Sequence, residues 1–132
     1  MLDLSSLEKA LTSLEYAVKR SKKVPLDEEI RDSVIQRFEY SYELSWKMLK
    51  RQLEIDSQTP TSIDAMGFKE MIREGAERGL IDSPEVWFEY RRQRNITSHA
   101  YDETKAISVY KTVLVFLQDA KLLLQKLKQR NS

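Results

Sequence analysis

The sequence has no cysteine among its 132 residues and only one histidine. The missing cysteine excludes disulfide bonds, thiolate zinc sites and cysteine nucleophiles, and it fits a reducing compartment such as the cytoplasm. One histidine, without a second histidine and a carboxylate at ligand spacing, gives no basis for a zinc site. Neither a nucleophile-elbow motif nor a glycine-rich phosphate loop is present. We therefore expect no metal and no cofactor.

Long apolar runs are also missing. No stretch approaches the roughly 18 residues that span a bilayer, and the N-terminus lacks the apolar block of a signal peptide. We therefore expect a cytoplasmic protein with no membrane partner. The net charge of +1 argues against a protein that coats nucleic acid by electrostatic attraction. Any recognition of phosphate must then be local.

Glycine and proline are scarce, with three residues of each, which favours long helices over many short strands. Residues 56–64 are rich in Ser, Thr and Pro and predict a connecting loop. Gly79 is expected to end a short helix in the left-handed conformation, and Ser83 to cap the next one. The first helix should bury one apolar stripe, formed by Leu4, Leu7, Leu11, Leu14 and Val18. The pattern predicts one all-α domain over residues 1–132, a bundle of four to five helices.

Two predicted helices carry unusual apolar faces. The second, from about Asp27 to Leu53, is rich in aromatic rings, which we interpret as core and partner-facing bulk rather than as a platform for stacking bases. The last helix has two apolar stripes, so it is either central in the bundle or also faces a second chain. The rings are Phe38, Tyr40, Tyr42 and Trp46. The stripes are Ile107, Tyr110, Leu114, Leu117 and Leu124, and Val109, Val113, Phe116, Ala120, Leu123 and Leu127.

The residues that carry chemistry lie between these helices, at 91–102. On an unbroken helix Arg94 and His99 would be about 140° apart around the axis and would not converge. Asp102 predicts a new helix start, and a break before it would let the two side chains meet. An arginine can hold a phosphate while an imidazole moves a proton, as a metal-free cleavage of RNA requires. Asp102 could instead orient the imidazole, but we favour capping. A lone histidine is more often structural, and that alternative stays open.

Residues 94–101 (RNITSHAY) resemble the R-x4-H-x-Y signature of HEPN-domain proteins. Further segments agree, and together they resemble the HepT-like family, also described as nucleotidyltransferase substrate-binding proteins. The resemblance covers most of residues 4–125. The segments are 38–47 (FEYSYELSWK), 79–81 (GLI), 86–87 (VW) and 101–103 (YDE).

The resemblance implies an up-and-down HEPN bundle that forms a homodimer through long helices, with the motifs of both chains in a cleft at the interface. It implies a metal-independent ribonuclease that acts as the toxin of a toxin–antitoxin pair. The partner, an MNT-type nucleotidyltransferase encoded nearby, would silence it by transferring AMP to Tyr101. Arg94 and His99 would be catalytic, with Asn95 as a polar helper and RNA as the substrate.

Two other hypotheses remain open. The chain could be a non-catalytic subunit that binds a substrate or nucleotide for a two-component nucleotidyltransferase. It could also be a helical dimer whose motif is only structural.

Overall fold

The fold is a bundle of six helices without strands, in a computed structural model that describes residues 1–132. The helices are α1 (Ser5–Lys23), α2 (Glu28–Asp56), α3 (Pro60–Asp64), α4 (Phe68–Glu77), α5 (Pro84–Ile96) and α6 (Glu103–Arg130). The all-α class is confirmed. The helix count exceeds the expected four to five because a short helix forms in the stretch predicted as a loop. That prediction is wrong for Pro60–Asp64, where Pro60 occupies the first turn and Ile63 anchors the helix in the core.

The helix ends follow local sequence signals. Asp27 caps α2 by accepting hydrogen bonds from the backbone N–H groups of Glu29 and Ile30. Gly79 has a φ of +76°, the left-handed conformation predicted for it, and it follows the end of α4. Ser83 is the residue before α5, as predicted, although its side chain makes no capping hydrogen bond.

The longest helices supply most of the core. Helix α2 packs against α1, α4, α5 and α6, and α6 packs against α1, α2 and α5. The predicted stripe of α1 is buried throughout, as is the second stripe of α6. The other stripe of α6 is only partly covered, since Ile107 is 40% exposed and Tyr110, Leu114 and Leu124 are half-buried.

An aromatic cluster fills the centre where α2, α5 and α6 meet. Phe116 is fully buried, and its ring meets those of Phe38, Tyr42, Trp87 and Tyr90 at centroid distances of 5.1 to 6.3 Å. The interpretation of the α2 rings as core is therefore confirmed for two of them. Tyr40 is 40% exposed and Trp46 half-buried, so these two lie outside the sealed core. No helix is long and apolar enough to cross a membrane.

Candidate functional site

The chain breaks between α5 and α6, where the sequence predicts a new helix start. Helix α5 ends at Ile96, Thr97–His99 forms one 3-10 turn, and Asp102 precedes α6. The Thr97 hydroxyl donates to the carbonyl of Arg94 (2.7 Å), and the Asp102 N–H donates to the carbonyl of His99 (3.0 Å). The Asp102 carboxylate accepts from the backbone N–H of Lys105 (3.2 Å), so Asp102 caps α6.

Arg94 is held from the side by helix α2. Its Nε lies 3.5 Å from Glu43 Oε1, and about a third of each side chain is exposed (32% and 35%). This contact is an ion pair without a hydrogen bond, because the buried Nε has no hydrogen-bond partner. The other carboxylate oxygen of Glu43 accepts from the indole N–H of Trp46 (3.2 Å). Arg94 also reaches the Thr97 hydroxyl at 3.5 Å.

His99 and Tyr101 project from the turn. His99 is exposed, and Tyr101 is 86% exposed, which is unusual for a side chain of its size. The Tyr101 hydroxyl lies 3.5 Å from His99 Nδ1, and the two rings are 6.0 Å apart at 69°. No hydrogen bond joins Arg94 to His99. The structure thus pairs the histidine with the tyrosine, and the arginine with a glutamate.

Asn95 lies at the edge of a cavity that the sequence reasoning missed. The cavity has a volume of about 310 Å³ and lies between α2, α4 and α5. Arg94 lines the cavity too, and its guanidinium lies near the Thr97 hydroxyl in the turn that carries His99, so this arginine lies between the two. The only sequence signal for the cavity is the aromatic face of α2, which the sequence pattern assigns to core and partner contacts. The lining residues are Tyr42, Glu43, Trp46, Lys50, Met66, Phe68, Met71, Arg91, Arg94 and Asn95.

A second groove lies near the start of α6, and its walls are largely apolar. It has a volume of about 640 Å³ and is formed by the turn after α1 and the first half of α6. Leu26 in this groove is 95% exposed and Ile107 is 40% exposed. In this groove Arg31 forms an ion pair with Glu103, with 2.9 Å between Arg31 Nη1 and Glu103 Oε1. Glu103 is the residue that follows the Asp102 cap. No group of three or more His, Cys, Asp or Glu side chains converges anywhere in the chain to hold a metal ion.

Comparison with known proteins gives one family and several relatives. Residues 2–129 match the family described as "Nucleotidyltransferase substrate binding protein like". The chain is 43% identical to the Haemophilus influenzae protein named "Probable ribonuclease HepT", over 98% of this chain and 94% of that protein.

Two solved structures share the fold. A Haemophilus influenzae protein, described as having the fold of a substrate-binding domain of a nucleotidyltransferase, matches with a TM-score of 0.90. It is 39% identical, and the match covers 96% of this chain and 99% of that one. A Thermus thermophilus protein matches with a TM-score of 0.75 at 26% identity, over 92% and 98% of the two chains.

Proposed function

This chain belongs to the nucleotidyltransferase substrate-binding protein-like family, the HepT-like family, and on that premise we propose that it is a metal-independent ribonuclease that uses Arg94 and His99. The name of the 43% identical relative, a probable ribonuclease, supports the proposal. So does the chemistry of the motif, since an imidazole and a guanidinium suffice for this cleavage without a metal.

The observation that carries the proposal is the exposed turn after α5. His99 and Tyr101 are both open to solvent there, with 3.5 Å between the imidazole and the phenol, and Arg94 stands in the preceding helical turn. A bulky ring at 86% exposure adds nothing to the core. Its position beside the only histidine is therefore better explained by chemistry than by packing.

In the proposed reaction, neutral His99 takes the proton of a ribose 2′-hydroxyl. The 2′-oxygen then attacks the adjacent phosphorus, and the bond from phosphorus to the 5′-oxygen breaks. The leaving 5′-oxygen takes up a proton from solvent, and protonated His99 returns its own proton to solvent, so the products carry a 2′,3′-cyclic phosphate and a 5′-hydroxyl. Arg94 stabilises the charge that builds on the phosphate oxygens. Asn95 adds a neutral hydrogen-bonding group at the edge of the site.

We propose that an MNT-type nucleotidyltransferase silences this activity, as in a toxin–antitoxin pair. The Tyr101 hydroxyl would attack the α-phosphorus of ATP, and pyrophosphate would leave with the proton lost to solvent. Tyr101 would then carry an AMP group through a phosphodiester with one negative charge. That group would crowd His99 and compete with RNA phosphate for Arg94.

A homodimer completes the proposal. The apolar groove around Leu26 and Ile107 would be covered by a second copy, since large exposed apolar surface marks an interaction site. The groove reaches Glu103, two residues past Tyr101, so covering it would bring the motifs of both protomers toward one cleft.

The test of the ribonuclease uses labelled RNA with excess EDTA. We expect the purified protein to cleave it, and His99→Ala and Arg94→Ala each to reduce the rate by at least about 100-fold. Arg92→Ala is the matched control, because Arg92 is 64% exposed, lies on the same helix and pairs with Glu89. Cleavage that survives both motif variants would come from a contaminant and would sink the proposal.

The test of modification is the intact mass after co-expression with the transferase. We expect the mass to rise by one or more AMP units in the wild type and not in Tyr101→Phe. Tyr16→Phe is the control, because Tyr16 is 64% exposed but lies on α1. A mass gain that persists in Tyr101→Phe would show that a residue other than Tyr101 carries the AMP.

The second candidate is a non-catalytic subunit that binds a substrate for the transferase. It is favoured by the lack of a hydrogen bond between Arg94 and His99 and by the ion pair that holds Arg94 to Glu43. It predicts a tight complex with the transferase and no RNA cleavage even when Tyr101 is unmodified.

A further inference from the structure

The cavity between α2, α4 and α5 has the dimensions of a small-ligand site. Its volume of about 310 Å³ lies at the lower end of the range for such sites, which starts near roughly 300 Å³. Half of its ten lining residues are hydrophobic, and the rest are charged or polar. A ligand that fits must therefore be part apolar and part charged.

One wall of the cavity is aromatic. Trp46 and Phe68 meet edge to face, with their ring centroids 5.9 Å apart at 86°. The guanidinium carbon of Arg91 lies 4.2 Å from the Phe68 centroid, which is a cation–π contact. Trp46 and Phe68 are only half-buried, so the bundle leaves them accessible rather than sealing them in the core. Such a wall suits a flat heteroaromatic ring.

The cavity also carries positive charge with one cation unpaired. Lys50 is paired with Asp64 at 3.0 Å, and Arg94 lies beside Glu43. Arg91 is exposed and has no carboxylate within ion-pair distance. Because it already stacks on Phe68, its guanidinium is held in place for an anion next to a ring.

Tyr42 supplies a buried polar group with no partner. The residue is 2% exposed and lines the cavity, yet its hydroxyl makes no hydrogen bond. Burial raises the pKa of the Tyr42 phenol well above its ordinary value, although Arg91 and Arg94 act in the opposite direction. The hydroxyl is therefore protonated and uncharged at neutral pH. An unpaired buried hydroxyl is costly to the fold, so the wall of the cavity at Tyr42 is not arranged for the best packing alone.

We propose that this cavity binds one nucleotide of a single-stranded RNA. The base lies against Trp46 and Phe68, and a phosphate of the same strand lies on Arg91. The next phosphate along the strand then reaches Arg94. This inference rests on the proposed function, since Arg94 joins the cavity to the turn that carries His99. It makes the cavity a subsite that sets where the strand sits before cleavage.

The test measures binding to an RNA hexamer with 2′-O-methyl riboses, which lacks the attacking hydroxyl and cannot be cleaved. Quenching of tryptophan fluorescence reports Trp46, because the only other tryptophan, Trp87, is 2% exposed in the core. We expect saturable quenching by the hexamer. AMP and inorganic phosphate form two further arms. Quenching by AMP but not by the hexamer would overturn the strand proposal, and so would equal responses to phosphate and hexamer.

Variants separate the subsite from a general electrostatic attraction. We expect Arg91→Gln and Phe68→Ala each to weaken hexamer binding by about tenfold or more. Arg73→Gln is the matched control, because Arg73 also stacks on a phenylalanine (Phe88, 5.2 Å) but does not line the cavity. It should change the dissociation constant less than twofold. Equal losses of hexamer affinity in Arg91→Gln and Arg73→Gln would overturn the subsite proposal. Arg91 is exposed, so its variant remains informative even if Phe68→Ala unfolds.

Cleavage of unmodified RNA by the same proteins distinguishes the two proposals. If the hexamer binds as expected and no cleavage occurs, the subsite stands and the ribonuclease fails. If cleavage depends on His99 but its KM is the same in Arg91→Gln as in the wild type, the ribonuclease stands and the subsite fails.

Discussion

Replacing Asp102 tests whether its carboxylate caps helix α6 or orients the imidazole of His99. In the structure its Oδ1 accepts from the backbone N–H of Lys105 at 3.2 Å, and no hydrogen bond joins it to the imidazole. Its backbone is extended, at φ −82° and ψ 119°, as at other helix caps. We therefore predict that Asp102 acts on stability through α6 and not on the chemistry of His99.

The expected size of the effect follows from the cap. Losing an aspartate N-cap costs about 1 kcal/mol, and its charge at the helix start adds about 0.3–1 kcal/mol. At about 2.1 cal/mol/K per residue, 132 residues give an unfolding entropy of about 0.28 kcal/mol/K. Asp102→Ala should then lower Tm by about 5–7 °C. Asp102→Asn keeps the accepting oxygen and loses only the charge, so its Tm should fall by about 1–4 °C.

The assay combines thermal melting, followed by circular dichroism, with RNA cleavage at a temperature where all variants are folded. We expect both Asp102 variants to cleave within about threefold of the wild type. Asp27 provides the matched control for the effect of a cap on stability, since it caps α2 through N–H groups at 3.0 and 3.2 Å. Asp27→Ala should lower Tm by a similar amount.

One result would refute this reasoning. If Asp102→Asn keeps its Tm but loses cleavage by about 100-fold or more, the carboxylate orients the imidazole in the active enzyme. An aspartate-to-asparagine change in a catalytic triad has an effect of that kind.

Three further predictions concern the scaffold and the assembly. Gly79→Ala should lower the free energy of unfolding by about 1–2 kcal/mol, because its φ of +76° strains any residue with a Cβ and the added methyl group would contact no neighbour. Gly67→Ala is the control in the same melts, since Gly67 has a φ of −69°, and it should change this free energy by less than about 0.5 kcal/mol. Phe116→Ala should cost about 3–5 kcal/mol, measured by urea unfolding, because the fully buried ring packs against four others. Leu26→Glu should convert the proposed dimer to a monomer, as measured by light scattering. Ile55→Glu is the control and should leave the dimer intact, because Ile55 is 53% exposed and lies outside the groove. If the Leu26→Glu variant remains a dimer, the groove is not the interface.

Local patterns in the sequence determined most of the secondary structure. Apolar spacing predicted the buried stripes of α1 and α6, because periodicity is set by the geometry of a helix. Asp102 predicted the break after α5, because a capping side chain acts on N–H groups only two or three residues away. The 60–64 helix was missed because five residues are too few to display a period, and its stability depends on burying Ile63 in the core.

The sequence alone also located the motif, from Arg94 to Tyr101, and the family to which the chain belongs. Only the tertiary structure decided what those side chains contact. Glu43 is 51 positions before Arg94, and the α2–α5 packing brings the pair to 3.5 Å. The cavity beside them likewise combines residues from α2, α4 and α5. Periodicity tells which face of a helix is buried, but it does not tell which helix covers that face. That choice depends on how all six helices share one core.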